Sequence, residues 1–309
     1  MPAALESRTR REALAWGAAR LRDAGLAPRD AWVEADLLLR HAAGLTREET
    51  LMRPEAPLAD EAATRLAAAV ARRAAGWPSA YLIGRREFGG LSFEVDPRVL
   101  IPRPETEVLV DAVAAALAGI RRPLVVDVGT GSGAIALTLA HRFPAARVVA
   151  TDVSAEALAV ARCNAARLGL EDRVTWRLGD ALAPLAGCVP AAGADAVCAN
   201  PPYVPSAEVA ALLREIRDYE PRAALDGGPD GLAVHRRLAA GAAAFVRPGG
   251  VFAVETCAAG AQARAVAALL AASGGFAAPE ILRDYAGLER VVIARRTAAP
   301  GASHRPADG

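Results

Sequence analysis

The chain has 309 residues, 53% of them hydrophobic, and a formal net charge of +1. That length is enough for two domains and a sizeable core. No apolar run approaches the ~20 residues of a membrane span, and a near-zero charge offers no strong electrostatic pull toward nucleic acid.

The hydrophobic excess is mostly alanine, and every basic side chain is arginine. Glu6, Arg8, Arg10 and Arg11 interrupt the start of the chain, so a secretory pattern is not expected and a cytoplasmic protein is. Residues 7–75 read as helical: Leu14, Ala18 and Leu21, then Val33, Leu37 and Leu38, then Leu66, Ala69 and Val70 recur at helical spacing. Gly25, Pro28, Gly44, Pro54 and Pro57 punctuate the runs. Asp60 is placed to cap the last helix, which Gly76-Trp77-Pro78 ends. Residues 87–95 form a hairpin about Gly89-Gly90. Pro104 suits the first turn of a helix, with Glu105 and Glu107 favoured near its positive end.

Beyond Arg122 strands and helices alternate. Strands are predicted at 124–128, 148–152, 174–178, 194–199, 249–255, 280–285 and 290–294. Helices lie at 134–141, after the capping Ser154, at 231–246 and at 262–272. This pattern predicts an α/β fold: a doubly wound, mostly parallel seven-stranded sheet. The expected divisions are a helical domain (1–80), a β-hairpin linker (81–98), a sheet domain (99–296) and a disordered tail (297–309). Cys163, Cys188, Cys198 and Cys257 are scattered, and the four histidines do not pair with them at metal-ligand spacing, so no metal is expected.

Two stretches carry chemistry. The first is Gly129-Thr130-Gly131-Ser132-Gly133, between a strand and a helix. It is one residue shorter than the dinucleotide fingerprint and lacks the lysine of a phosphate loop. Asp127 at its start would repel a pyrophosphate and suit an amino-bearing ligand. Asp152 ends the next strand, where a carboxylate accepts ribose hydroxyls. Asp180 and the Ala181 N–H end the third, where they meet an adenine edge. Together these point to S-adenosylmethionine. The second stretch is Asn200-Pro201-Pro202-Tyr203, after a buried strand. Its carboxamide oxygen and a backbone carbonyl can accept two hydrogen bonds from one NH2 group, which makes a holder for a planar amine or amide nitrogen. The plain alternative is an Asn-Pro turn on a surface loop.

Both stretches, with Arg86-Glu87-Phe88, Leu100-Ile101-Pro102-Arg103-Pro104-Glu105-Thr106-Glu107, Asp218-Tyr219-Glu220-Pro221-Arg222 and Arg290-Val291-Val292, resemble the HemK/PrmC family. These are bacterial peptide chain release factor glutamine methyltransferases of the class I, Rossmann-like type. The resemblance runs to about Arg296. It implies methyl transfer from S-adenosylmethionine to the glutamine amide nitrogen of a Gly-Gly-Gln motif. It also implies that Gly129 to Gly133, Asp127 and Asp152 hold the cofactor, with Asp180 and Ala181 by its adenine. Asn200 would touch cofactor and substrate, Asn200 and Pro201 would be catalytic, and Pro202, Tyr203 and Phe88 would line the substrate site. For Phe88 a hairpin-core role is the alternative. Arg103 and Glu105 are expected to clamp the hairpin. The implied partner is a release factor; the separate position of the helical domain before the sheet domain leads to the expectation that it grips that factor, with no direct nucleic-acid binding, no membrane and a monomeric enzyme expected. Two departures stand out. Gly89 replaces a bulkier residue, which is expected to loosen the wall beside Phe88. Glu255-Thr256-Cys257 replaces Glu-Ile-Gly, with Gln262 later than usual and so left without a role. A nucleic-acid amino methyltransferase is the rival enzyme, and a non-catalytic cofactor-binding protein is the rival of another class.

Overall fold

A computed structural model of the chain describes residues 9–257 and 261–297. Of the tail expected at 297–309, residues 298–309 lie outside them, as do residues 1–8, while Thr297 is described and its N–H donates to the Gly275 carbonyl at 3.2 Å. The first compact unit joins residues up to Arg85 with the distant segment Leu213–Tyr219. Helix α1 (Arg10–Asp23) starts at a reciprocal cap: Glu12 N donates to Thr9 Oγ1 and Thr9 N to Glu12 Oε2. Helix α2 (Pro28–Ala43) begins on a proline and ends at Gly44 in the left-handed region. Helix α3 (Arg47–Met52) repeats the cap with Thr46 and Glu49. In α4 (Asp60–Ala74) Asp60 is the first helical residue and caps nothing; its carboxylate sits in the first turn, where the helix dipole favours it. Helix α5 (Ser79–Ile83) closes the set.

Leu21, Leu38, Leu39, Leu66 and Val70 form this unit's core. A Cβ at Gly17 would lie 3.3 Å from that of Ala35, so α1 and α2 approach closely there. The buried Arg73 pairs with Glu34 at 2.9 Å and with Glu215 at 2.6 Å. Tyr219 donates to the Ala75 carbonyl, and its ring lies 4.7 Å from that of Trp77. These bonds bring a segment from late in the chain into the helical unit.

The second unit holds the remaining residues. Strands β1 (Arg85–Phe88) and β2 (Leu91–Glu94) turn through Gly89 and Gly90, both at positive φ, as a two-residue hairpin turn requires. A single helical turn at Pro104–Thr106 leads into α6 (Glu107–Leu117). Then come β3 (Leu124–Val128), α7 (Ala134–Arg142), β4 (Arg147–Asp152), α8 (Ala155–Leu168) and β5 (Val174–Leu178). They are followed by β6 (Ala194–Ala199), β7 (Val246–Glu255), β8 (Glu280–Arg283) and β9 (Glu289–Arg295). The sheet order is β5-β4-β3-β6-β7-β9-β8, and β9 runs antiparallel to both its neighbours. The seven-stranded, mostly parallel sheet is thus as the sequence predicts.

Side chains alternate between two cores. Val125, Ala150, Cys198 and Ala253 face one, while Val126, Val149, Val197 and Phe252 face the other. Both faces are covered, so these strands read as continuous apolar runs. One boundary differs from expectation. Residues 231–246 are not one helix: the helix is Ala233–Gly241, and β7 already starts at Val246, paired with Ala194. Pro248-Gly249-Gly250 bulges the strand rather than preceding it, and pairing resumes at Val251 with Ala196.

Candidate active site

The chain winds outward from β3 to β5 and then returns to place β6 beside β3. Strand order reverses between β3 and β6, so the segments that leave their C-terminal ends diverge around a crevice. The glycine loop leaves β3 and the Asn200 turn leaves β6. Between them is a cavity of about 520 Å³, within the range of small-molecule sites.

The loop is pinned from below. Gly129 N and Thr130 N both donate to the Thr151 carbonyl, at 2.9 and 2.8 Å. Asp127 Oδ2 accepts from Thr130 Oγ1 at 2.7 Å and from Ala136 N at 3.2 Å. Asp127 is fully buried and does not line the cavity. It therefore knits loop to helix rather than facing a ligand, unlike the contact expected of it. Burial pushes its carboxyl up to about 7, against the pull of its two hydrogen bonds. Gly133 is likewise behind the wall. A Cβ there would meet Leu137 Cδ1 at 2.9 Å, so it serves helix–sheet approach. Gly129, Thr130, Gly131 and Ser132 line the cavity. Asn164 braces the loop, donating to the Ser132 carbonyl at 2.9 Å and to the Glu94 carbonyl at 3.0 Å.

Asp152 lines the cavity at the end of β4. Its Oδ2 accepts from Gly131 N at 2.8 Å and its Oδ1 from Ser154 N at 2.9 Å. These bonds fix the carboxylate plane, while burial raises its pKa. Asp180 and Ala181 line the far end, with Asp180 ion-paired to Arg237. Ala181 has φ 48, the one non-glycine residue in that region among the described residues. Such a conformation is costly and concentrates at ligand sites.

Asn200, Pro201 and Pro202 line the wall opposite the glycine loop. Asn200 Nδ2 donates to Thr106 Oγ1 at 3.1 Å. That commits the nitrogen edge of the amide to the protein and leaves Oδ1 as the edge available to a ligand. Tyr203 is not brought to the cavity lining. Its carbonyl accepts from Gln262 Nε2 at 3.0 Å. Burial raises its hydroxyl pKa, as does the nearby Glu255. Phe88 does line the cavity and is also core, edge-on to Phe93 at 6.2 Å. It is therefore a hairpin-core residue that also reaches the cavity wall.

Behind Asn200 lies Glu255, 1% exposed at the end of β7. Both its carboxylate oxygens are buried without a well-formed hydrogen bond. Burial pushes it up to about 7. The facing Thr106 hydroxyl, Arg290 and Arg103 pull it down, and Glu105 pushes it up. Arg103 does not clamp the hairpin. It pairs with the buried Glu220, which also accepts from Ile101 N at 3.3 Å. The hairpin turn is held instead by Glu107, whose Oε1 accepts from Gly89 N at 3.0 Å.

Two family models match this chain. Residues 12–84 match the family described as the PrmC N-terminal domain, and residues 125–219 match a methyltransferase domain. A release factor glutamine methyltransferase of Moorella thermoacetica is 49% identical, over 93% of this chain and 99% of its own length. The chain belongs to the release factor glutamine methyltransferases. A second member, from Gloeobacter violaceus, is 43% identical over 84% of this chain and 89% of its own. A solved release factor-specific protein-(glutamine-N5) methyltransferase from Alicyclobacillus acidocaldarius is 30% identical. It covers 67% of this chain and 100% of its own, with a TM-score of 0.40.

Within the release factor glutamine methyltransferases, the two departures of this chain have structural answers. Gly89 does not loosen the wall, because Thr138 Cγ2 would lie 2.6 Å from a Cβ at that position. Gln262, though displaced in sequence, reaches the site: its Oε1 accepts from Cys257 N at 2.6 Å while Nε2 holds the Tyr203 carbonyl. Thr106, Glu255 and Gln262 are the members of the site to which sequence reasoning assigns no role. Each lies in a segment the resemblance singles out: Thr106 in Pro-Arg-Pro-Glu-Thr-Glu, Glu255 and Gln262 in the departure that follows the fifth strand of the sheet.

Proposed function

We propose that this chain transfers a methyl group from S-adenosylmethionine to the side-chain amide nitrogen of a glutamine in the Gly-Gly-Gln motif of a release factor. The observation that carries the reading is the oriented Asn200 amide, facing a glycine-loop cavity in a member of this family. The residues present suit the cofactor. The glycines admit close backbone approach, Asp152 presents a carboxylate held in one plane, and Asp180 and Ala181 lie at the far end. When bound, S-adenosylmethionine supplies a methyl group activated by its sulfonium.

The protein's part is positioning. A glutamine amide is a weak nucleophile because its lone pair is delocalised into the carbonyl. Asn200 Oδ1 and the Pro201 carbonyl each accept one N–H of that amide, fixing the plane of the NH2 group. The lone-pair direction is then turned toward the methyl donor. Orientation of this kind supplies up to about 7–11 kcal/mol in favourable cases. The same two acceptors stabilise positive charge as it develops on nitrogen. The methylated nitrogen is acidic, so its proton leaves without a strong base. Phe88 closes the wall beside the amide. The helical unit, with Trp32, Val33, Leu51 and Met52 exposed, grips the body of the release factor.

The test is methyl transfer from labelled cofactor to intact release factor, a Gly-Gly-Gln peptide, ribosomes and DNA in parallel. Label should enter the release factor at its glutamine. Label on DNA alone would overturn the reading. Trp32→Ala should raise KM for the intact factor and leave the peptide unchanged; equal effects on both would remove the helical unit from recognition.

A further inference from the structure

We propose that Thr106, backed by the Glu255 carboxylate, is the positioning residue that presents Asn200 Oδ1 to the acceptor nitrogen. The inference rests on the reading of Asn200 as the amide holder. A primary amide is nearly symmetric in shape, so packing alone does not choose which of its two ends faces the cavity. A flipped Asn200 would offer N–H to a substrate N–H and bind nothing. Something must therefore tell oxygen from nitrogen, and Thr106 stands where that choice is made.

A hydroxyl by itself is ambivalent, because it both donates and accepts. Its direction is set by its other neighbour. Asn200 Nδ2 donates to Thr106 Oγ1, so the Thr106 proton must go elsewhere. The carboxylate of Glu255 lies beside that hydroxyl, and both its oxygens are buried without a hydrogen-bond partner of their own. An ionised carboxylate only accepts. It draws the Thr106 proton, which turns a lone pair of Oγ1 toward Asn200, and that lone pair holds the amide nitrogen. Thr106 is itself buried and sits on the single helical turn before α6. That turn follows Arg103, which is ion-paired to Glu220. The relay thus runs from the end of β7, through the Pro104–Thr106 turn, to the end of β6.

The experiment compares Thr106→Val, Thr106→Ser, Glu255→Gln, Glu255→Leu and Asn200→Ala in the full chain. It reads kcat and KM for release factor, cofactor Kd by calorimetry, and thermal unfolding. Thr106→Val should lower kcat about tenfold, the worth of one hydrogen bond between buried groups, with KM and cofactor Kd little changed. Thr106→Ser restores the hydroxyl and should keep kcat near wild type. Glu255→Gln keeps an acceptor and should retain most activity, whereas Glu255→Leu should behave like Thr106→Val. Adding Thr106→Val to Asn200→Ala should cost nothing more. If Thr106→Val turns over at the wild-type rate while Asn200→Ala is inactive, the relay is wrong and the reading of Asn200 stands. If Asn200→Ala itself turns over normally, both fall. Equal loss in Thr106→Val and Thr106→Ser would also overturn the relay, by assigning Thr106 to packing.

Discussion

Gln262 Nε2 donates to the Tyr203 carbonyl at 3.0 Å, across 59 positions of chain, while Gln262 Oε1 accepts from Cys257 N. One side chain thus fastens the turn that carries Asn200 to the segment that leaves β7. The close approach of Gly231 to the same carbonyl completes the backing. A turn made of prolines lacks donors of its own, so its register depends on such outside bonds. Gln262→Ala should lower kcat for amide methylation about tenfold or more, with cofactor affinity nearly unchanged; stopped-flow single turnovers and calorimetry separate the two. An unchanged single-turnover rate would show that the prolines hold the turn unaided.

Asn200 and Asp152 should fail in different ways. On the proposed reading Asn200→Ala removes the acceptor at the reacting nitrogen, so kcat should fall by a factor of hundreds or more. Asp152→Ala should weaken cofactor binding first, since that carboxylate faces the cavity and also ties down Gly131. Equilibrium binding beside steady-state kinetics distinguishes the two patterns, and identical behaviour would contradict the separate roles.

The two buried carboxyls make stability depend on pH. Burial lifts Asp127 from 3.8, and Glu255 from 4.5, to about 7 in the folded protein. Between those limits the folded state holds protons that the unfolded state has released. Stability is therefore greatest at the acid end of this window and falls as pH rises from about 4 through about 7. A tenfold change in proton affinity is worth about 1.4 kcal/mol, so the two shifts together are worth several kcal/mol. Urea unfolding of the cofactor-free protein should show the fall, and Asp127→Asn should flatten part of it. No slope in that window would mean that the carboxyls titrate normally.

The same titration should appear in turnover. The groups facing Glu255 are Thr106, Glu105, Arg103, Arg290 and Tyr203, and His235 Nε2 donates to its backbone carbonyl at 2.9 Å. Below about pH 7 a protonated Glu255 would donate to Thr106 instead of accepting, and the relay would lose its direction. Single-turnover kcat should rise with pH through about 7 in the wild type. Glu255→Gln should remove that limb; a limb unchanged in the variant would assign it to another group.

Gly89 sits at φ 57 with Thr138 Cγ2 2.6 Å from any added Cβ. Gly89→Ala should therefore destabilise by about 1–3 kcal/mol, from strain and overpacking together. Thr138→Ala in the same chain should recover the packing part alone. A Gly89→Ala protein as stable as wild type would show that the hairpin turn relaxes freely.

Much of this protein is legible along the chain. Val125 and Val126, or Val197 and Cys198, are neighbours that serve opposite cores, and such runs bounded by glycine and proline mark buried strands without reference to tertiary structure. The glycine loop, Asp152 and Asn200 are legible because each lies at a strand end, where position in sequence and position in the crevice coincide. Asp127 is not, because its place at the head of the loop looks the same from the sequence whether its carboxylate points into the cavity or beneath it. The helix expected at 231–246 ends early because Pro-Gly-Gly, which usually stops an element, here lies inside a strand, and only the pairing of Val246 with Ala194 shows the strand passing through it.

The sequence by itself determined the fold class, the family and the two chemical stretches, since periodicity and short motifs are local. Tertiary structure alone decided which atoms face one another across long separations. Thr106 meets Asn200 across 94 positions, Gln262 meets Tyr203 across 59, and Arg103 meets Glu220 across 117. Hydrogen bonds and ion pairs act over about 3 Å, so these partners exist only after the chain has folded, and no spacing in the sequence records them.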